Sequence, residues 1–91
     1  MVELKVKREE IAKVAKAIGS VTRWEILKLL KDHKMDVSRI AELLKQTEAN
    51  ISAQIKILER AGLIKSTYEP GEHGVRKVCE LTVNRIVIEI E

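Results

Sequence analysis

The spacing of apolar residues changes period once between Asp36 and Leu81, at Gly62, and that change fixes what this 91-residue chain can build. Before Gly62 the apolar positions recur at helical spacing, first as Ile40, Leu43 and Leu44, then as Ile51, Ile55 and Leu58 with Ile57 and Ala61. Such stripes predict a short helix over 36–44 and a longer one over 48–61, each with one buried face. Only Lys45-Gln46-Thr47 lies between them, so the two helices meet at a sharp angle. Gly62 ends the second helix. Beyond it, 63–68 and 75–81 read as two strands of a hairpin, with its tip at Pro70-Gly71-Glu72-His73-Gly74.

The flanks complete the plan. Val2, Leu4 and Val6 alternate with Glu3, Lys5 and Lys7, a short half-buried strand. From Arg8 the period becomes helical: Ile11, Val14, Ala15 and Ile18 share a face, with Ala17 toward the flank, and Gly19 stops the run. Ser20 or Thr22 caps a second helix that buries Ile26, Leu27 and Leu30, widened by Trp24 and Leu29. Asp36 caps the third helix and Thr47 the fourth. Residues 85–91 read as a last strand with Ile86, Ile88 and Ile90 on one face. The expected class is α+β: four helices, a two-stranded wing, and short N- and C-terminal strands. Isolated short strands need partners. The terminal ones are expected to pair with each other or across a two-fold axis. The alternative is that the last strand extends the wing sheet.

Composition narrows the class. With Phe absent and only Trp24 and Tyr68 aromatic, the core must be aliphatic, and eleven Ile supply it. Charged residues make up 34% and side-chain amides number four, a thermophile-like balance. The net charge of +3 is concentrated in 1–34, at +4, whereas 35–62 is neutral and 63–91 carries −1. That mild basic footprint fits modest, salt-sensitive binding to a nucleic acid rather than coating of one. The longest apolar runs fall short of a membrane span, and no apolar signal core opens the chain, so a cytoplasmic protein is expected. Cys79 is the single cysteine, which excludes an intrachain disulfide; it is expected to pack as a small hydrophobe in the wing. His33, His73 and Cys79 have no ligand spacing, so neither a metal nor another cofactor is expected.

A helix-turn-helix followed by a hairpin that carries cations places its second helix in a major groove of double-stranded DNA and its wing on the backbone. If Ile51, Ile55 and Leu58 face inward, then Glu48, Ala49, Asn50, Ser52, Ala53 and Lys56 face outward. Asn50 can pair bidentately with adenine, as can Gln54 if the helix rotates slightly; Ala53 can offer a methyl group to thymine. Ser52 suits a phosphate or a base edge, and Lys56 suits a phosphate. Glu48 either accepts from a cytosine amine or stabilises the helix start. In the wing, spanning 65–81, the candidates are His73, Arg76 and Lys77. Arg76 and Lys77 point to opposite faces of a strand, and Arg76 is the expected phosphate contact.

The segment 15–81 resembles the ArsR type of winged helix-turn-helix regulator. The resemblance is carried by Ile18-Gly19-Ser20, by Thr22-Arg23 before Glu25-Ile26-Leu27, by Val37 through Leu44, and by Ile51-Ser52 with Leu58-Glu59-Arg60-Ala61-Gly62-Leu63-Ile64. The wing, Tyr68 through Cys79, looks like one common among archaeal members. The resemblance implies a homodimer that binds a palindromic operator and represses transcription. It places recognition contacts on Glu48, Ala49, Asn50, Ser52, Ala53 and Gln54. Members often carry histidine where this chain has Ala53 and Gln54, and metal-responsive members carry cysteines where it has Asp36 and Ser38.

The expectation is one DNA-binding domain over 1–91, with the terminal strands and first helix as the dimer surface. Its function would be sequence-specific transcriptional regulation, with 48–61 as recognition helix. A winged-helix module that binds proteins without specific DNA recognition is the alternative, motivated by the neutral helix-turn-helix. No nucleophile–base pair, paired carboxylates or phosphate-cradling loop points to an enzyme. Neither an operator nor a small-molecule effector can be read from the residues.

Overall fold

The computed structural model describes residues 2–90. Strand β1 (Glu3–Lys5) leads through a single 3-10 turn at Arg8–Glu10 into helix α1 (Ile11–Ile18) and helix α2 (Val21–Leu29). Strand β2 (Met35–Asp36), helix α3 (Val37–Leu44) and helix α4 (Glu48–Arg60) follow, then strands β3 (Ile64–Gly71), β4 (Gly74–Leu81) and β5 (Arg85–Val87).

Local chemistry sets the helix boundaries. Of the two candidate caps for α2, Ser20 is used: its hydroxyl accepts from the Arg23 N–H at 3.3 Å. Asp36 accepts from the Arg39 N–H at 2.7 Å, and Thr47 accepts from the Asn50 N–H at 3.1 Å. Between α3 and α4 the chain reverses at Lys45, which takes the left-handed conformation at φ 56°. Gly62 does the same after α4, at φ 77°.

The core is aliphatic. Ile26, Ile40, Ile51, Ile55, Leu58 and Leu63 are essentially inaccessible, and the three helical stripes converge on them. Among the described residues no buried side-chain nitrogen or oxygen lacks a partner. Two predicted stripes shift. In α1, Ala17 is buried and Ala15 exposed, because the inward face centres on Val14, Ala17 and Ile18. In α3, Ala41 is buried and Leu43 is 40% exposed: with about 100° per residue, a face centred on Val37 and Leu44 and flanked by Ile40 and Ala41 turns Leu43 away. Trp24 is 47% exposed and only borders the core.

The wing has three strands, not the two expected. Its order is β2-β4-β3, with Met35 opposite Cys79 and Asp36 opposite Val78. Two residues are too few to show alternation, which is why the sequence hides β2. The hairpin is tighter than expected: pairing continues to Gly71 opposite Gly74, so the tip is Glu72-His73 alone. Pro70 is accommodated because β3 is an edge strand.

The terminal strands pair with each other, in parallel, within one chain, with Leu4 opposite Ile86. Asn84 clamps the pair. Its N–H donates to the Val2 carbonyl at 2.9 Å, and its Oδ1 accepts from the Val2 N–H at 3.1 Å. The alternative in which β5 extends the wing sheet is therefore not adopted. The last strand ends at Val87 rather than running to 91; Ile90 is fully exposed, and Glu91 lies outside the described residues.

A Cβ at Gly62 would meet nothing within 4 Å, so Gly62→Ala tests backbone strain alone. It is expected to cost about 1–2 kcal/mol in urea denaturation. Lys45→Gly, at the left-handed residue between α3 and α4, is expected to be neutral or stabilising by up to ~1 kcal/mol.

Candidate nucleic-acid interface

Burial of Ile51, Ile55 and Leu58 fixes the rotation of α4 about its axis. Glu48, Ala49, Asn50, Ala53 and Lys56 are exposed as expected, while Ser52 and Gln54 are half-buried. Each polar member has a defined setting. Glu48 accepts from the Ser38 hydroxyl, which ties the first turn of α4 to the first turn of α3. Ser52 faces a groove of about 800 Å³ between the starts of α3 and α4 and the wing, which Asp36, Ser38 and Arg76 also line. Asn50 and Gln54 belong to a chain of side-chain hydrogen bonds that begins at Arg23 and includes Gln46 and Thr22. Lys56 makes no ion pair among the described residues.

The wing cations are engaged within the chain. Arg76 lies 3.0 Å from Asp36 Oδ2 and 3.6 Å from Glu69, and Lys34 lies 3.1 Å from Glu69. Lys77 is on the opposite face of β4, as its position implied, 3.2 Å from Glu59 on α4 and mostly covered. His73 is exposed at the tip beside Glu72. The structure thus brings both Arg76 and Lys77 to the groove lined by Ser38, Glu48 and Ser52, with Lys77 held there against Glu59 of α4.

Sequence reasoning overlooked Ser38, Gln46 and the side chain of Arg23 as parts of this surface. The signal for Gln46 was present: Gln46, Asn50 and Gln54 are spaced four apart, which sets Gln46, just before the Thr47 cap, in line with the helix face that Asn50 and Gln54 share. Nothing in the local sequence announces that Arg23 reaches across from α2.

Cys79 is fully buried in β4, where the Ser66 hydroxyl donates to its sulfur at 3.5 Å. No three His, Cys, Asp or Glu side chains come together to hold a metal among the described residues. Nor is any described helix long and apolar enough to cross a membrane.

A capped α3, a three-residue turn, α4 with its polar face outward and a hairpin beside it define a winged helix-turn-helix protein. Residues 20–66 match the arsR family of bacterial regulatory proteins. The chain is 41% identical over 64 residues to an uncharacterised HTH-type transcriptional regulator of Methanocaldococcus jannaschii, a match spanning 69% of this chain and 72% of that one. A transcriptional regulator homologue from Pyrococcus horikoshii shares the fold at TM-score 0.67 with 30% identity, covering 81% of this chain and 76% of that one. A homodimeric winged helix-turn-helix DNA-binding domain from Mycobacterium bovis superposes at TM-score 0.72 with 26% identity, over 80% of this chain and 64% of that one. The chain belongs to the arsR family and is a DNA-binding regulator of transcription.

Burial pushes the Cys79 thiol above its ordinary value of 9.0. The folded protein therefore holds this proton more tightly than the unfolded chain. Stability is expected to be complete below pH 9.0 and to decline as pH rises past it, a loss that Cys79→Ala removes in pH-dependent urea titrations. At pH 8 the native thiol is expected to react with a disulfide reagent at least ~100-fold more slowly than the unfolded chain.

Proposed function

We infer that this protein acts as a sequence-specific homodimer, residues 1–91 forming one DNA-binding domain. Each subunit lays the outer face of α4 into a major groove and its wing along the adjacent backbone. The observation that carries this reading is the outer face of α4: Ala49, Asn50 and Ala53 stand free of the core in its first half, where a recognition helix meets base edges, with Lys56 exposed one turn further on. Asn50 is the base reader, suited to adenine, and Ala53 offers a methyl contact. Lys56 and Arg76 are the phosphate contacts, with Ser52 and Glu48 beside them and Gln54 behind. His73 and Lys77 have secondary places, at the tip and on the inner flank. The expected outcome of binding is repression, in the cytoplasm.

The dimer face lies on the opposite side. An open apolar groove of about 790 Å³ runs between α2 and the terminal strands, lined by Ile18, Trp24, Leu27, Val83, Ile86 and Ile88. Trp24 and Ile88 are 47% and 42% exposed there, an apolar surface that a single small domain gains by covering. A second copy is the occupant that also supplies two α4 helices for a palindromic site. Trp24→Glu is expected to raise the dimer dissociation constant at least ~30-fold, as loss of a central aromatic anchor does; sedimentation equilibrium reads the change.

A second reading, a protein-binding module, draws on the internal pairing of Arg76 and Lys77, which lowers the free positive charge beside α4. Mobility-shift titrations with selected and random duplexes separate the two. The regulator prefers the selected duplex, and Asn50→Ala relaxes that preference. Lys56→Ala weakens every duplex alike and lowers the salt slope by about 0.9 per lost phosphate contact. Equal binding of all duplexes at low salt would favour the protein-binding reading.

A further inference from the structure

Three of the four side-chain amides in this protein, Gln46, Asn50 and Gln54, join a single line of hydrogen bonds. Arg23 Nη1 donates to Gln54 Oε1 at 2.6 Å. Gln54 Nε2 donates to Asn50 Oδ1 at 3.2 Å. Asn50 Nδ2 donates to Gln46 Oε1, and Gln46 Nε2 donates to Thr22 Oγ1 at 3.1 Å. Every link runs the same way.

The direction has one source. An amide's oxygen and nitrogen ends have nearly the same shape, so either orientation fits sterically, and only the partners choose between them. A hydroxyl donates and accepts, so Thr22 would take either sense. A guanidinium only donates. Gln54 must therefore present its oxygen to Arg23, which leaves its NH₂ for Asn50. Asn50 must then accept on that side and donate on the other, toward Gln46. Arg23 is itself held fast: Nε donates to the Ala17 carbonyl at 2.9 Å and Nη2 to the Lys16 carbonyl at 2.8 Å, both in the last turns of α1.

We propose that Arg23, on α2 and away from the outer face of α4, is a positioning residue for sequence choice: through Gln54 it sets which end of the Asn50 amide donates and which accepts. This rests on the reading above that Asn50 meets a base. Asn50 retains one N–H and one lone pair for the groove. The N–H lies on the Gln46 side and the lone pair on the Gln54 side. An adenine is read when its N7 faces the first and its N6 amine the second. Because the amide is set before DNA arrives, the match costs no reorientation, and a base presenting the reverse pattern meets donor against donor.

Two substitutions of equal charge test the direction. Gln54→Glu keeps an acceptor for Arg23 but removes the donor to Asn50, and so releases the Asn50 amide. Gln46→Glu keeps the acceptor for Asn50, and the Thr22 hydroxyl turns to donate to the new carboxylate. Both add one negative charge next to Asn50, one on α4 and one in the turn before it, so each weakens DNA binding in general. The measured quantity is the ratio of dissociation constants for a selected duplex and one with the Asn50-dependent adenine replaced. Gln54→Glu is expected to lower that ratio by about tenfold, toward the Asn50→Ala value, and Gln46→Glu to leave it within about twofold. In the Asn50→Ala background Gln54→Glu is expected to change the ratio no further. Thermal melts of both glutamate variants check that the fold is kept, and Arg23→Met adds a second test wherever it folds. If Gln54→Glu leaves the ratio unchanged, or Gln46→Glu lowers it as much, the positioning role of Arg23 is overturned while the regulator reading stands. If the unaltered protein shows no duplex preference, both fall.

Discussion

The packing of one face of α4 against the core governs everything on its other face. Ile51, Ile55 and Leu58 are at 0% exposure, and the fit of three aliphatic chains into a close-packed interior leaves no freedom to rotate the helix. Replacing one of them with Ala would cost on the order of 2–5 kcal/mol, a large share of what a small domain has in reserve. The stripe that stabilises the fold is therefore also what aims Asn50 and Ala53. A rotation by one residue would bury Asn50 and expose a core isoleucine. The caps serve the same end: Thr47 and Asp36 fix where α4 and α3 begin, and the Glu48–Ser38 hydrogen bond joins their first turns.

Electrostatics in the groove beside α4 is arranged differently from what net charge implies. Asp36 uses one carboxylate oxygen to cap α3 and the other to hold Arg76, so the wing is tethered to the helix it flanks. In this pair the Arg76 side chain is 50% exposed and that of Asp36 19%, and an ion pair whose cation is open to solvent is worth about 1 kcal/mol. A phosphate entering the groove can thus take Arg76 from Asp36 at small cost. Lys77 is less available, because its side chain is only 21% exposed against Glu59. The chain holds its wing cations in place without DNA and gives up only one of them readily, which suits weak, salt-sensitive association better than a large basic face would.

How much of this could be read from the residues differs by kind of interaction. Periodicity and caps gave the four helices, Gly62 and the hairpin, because those signals are local: Asp36, Thr47 and Gly62 act within a few residues of themselves. The errors were of two sorts. Leu43 and Ala41 exchanged places because eight residues make too short a stripe to locate its centre, and a leucine outweighs an alanine in any hydrophobic count. Strand β2 was missed because two residues carry no alternation. For the site, the outward set on α4 followed from the helix period, but its tethers did not. Arg23 meets Gln54 across 31 positions and Arg76 meets Asp36 across 40. Contacts of that range depend on how helices and sheet are packed, which no local pattern encodes.

The same long-range contacts leave little slack between the two functional faces. Arg23 bonds the last carbonyls of α1 with two of its nitrogens and α4 with the third. Its sequence neighbour Trp24 opens onto the apolar groove, as does Ile18, which follows Ala17. A guanidinium holds its donors in a rigid plane, so α1 cannot shift against α2 without breaking those carbonyl bonds or dragging the Gln54 contact with it. The apolar groove and the line of amides therefore meet at adjacent residues, Trp24 and Arg23. With only four side-chain amides in the sequence, three of them join the one line from Arg23 to Thr22, the arrangement that the proposed base-reading role of Asn50 requires.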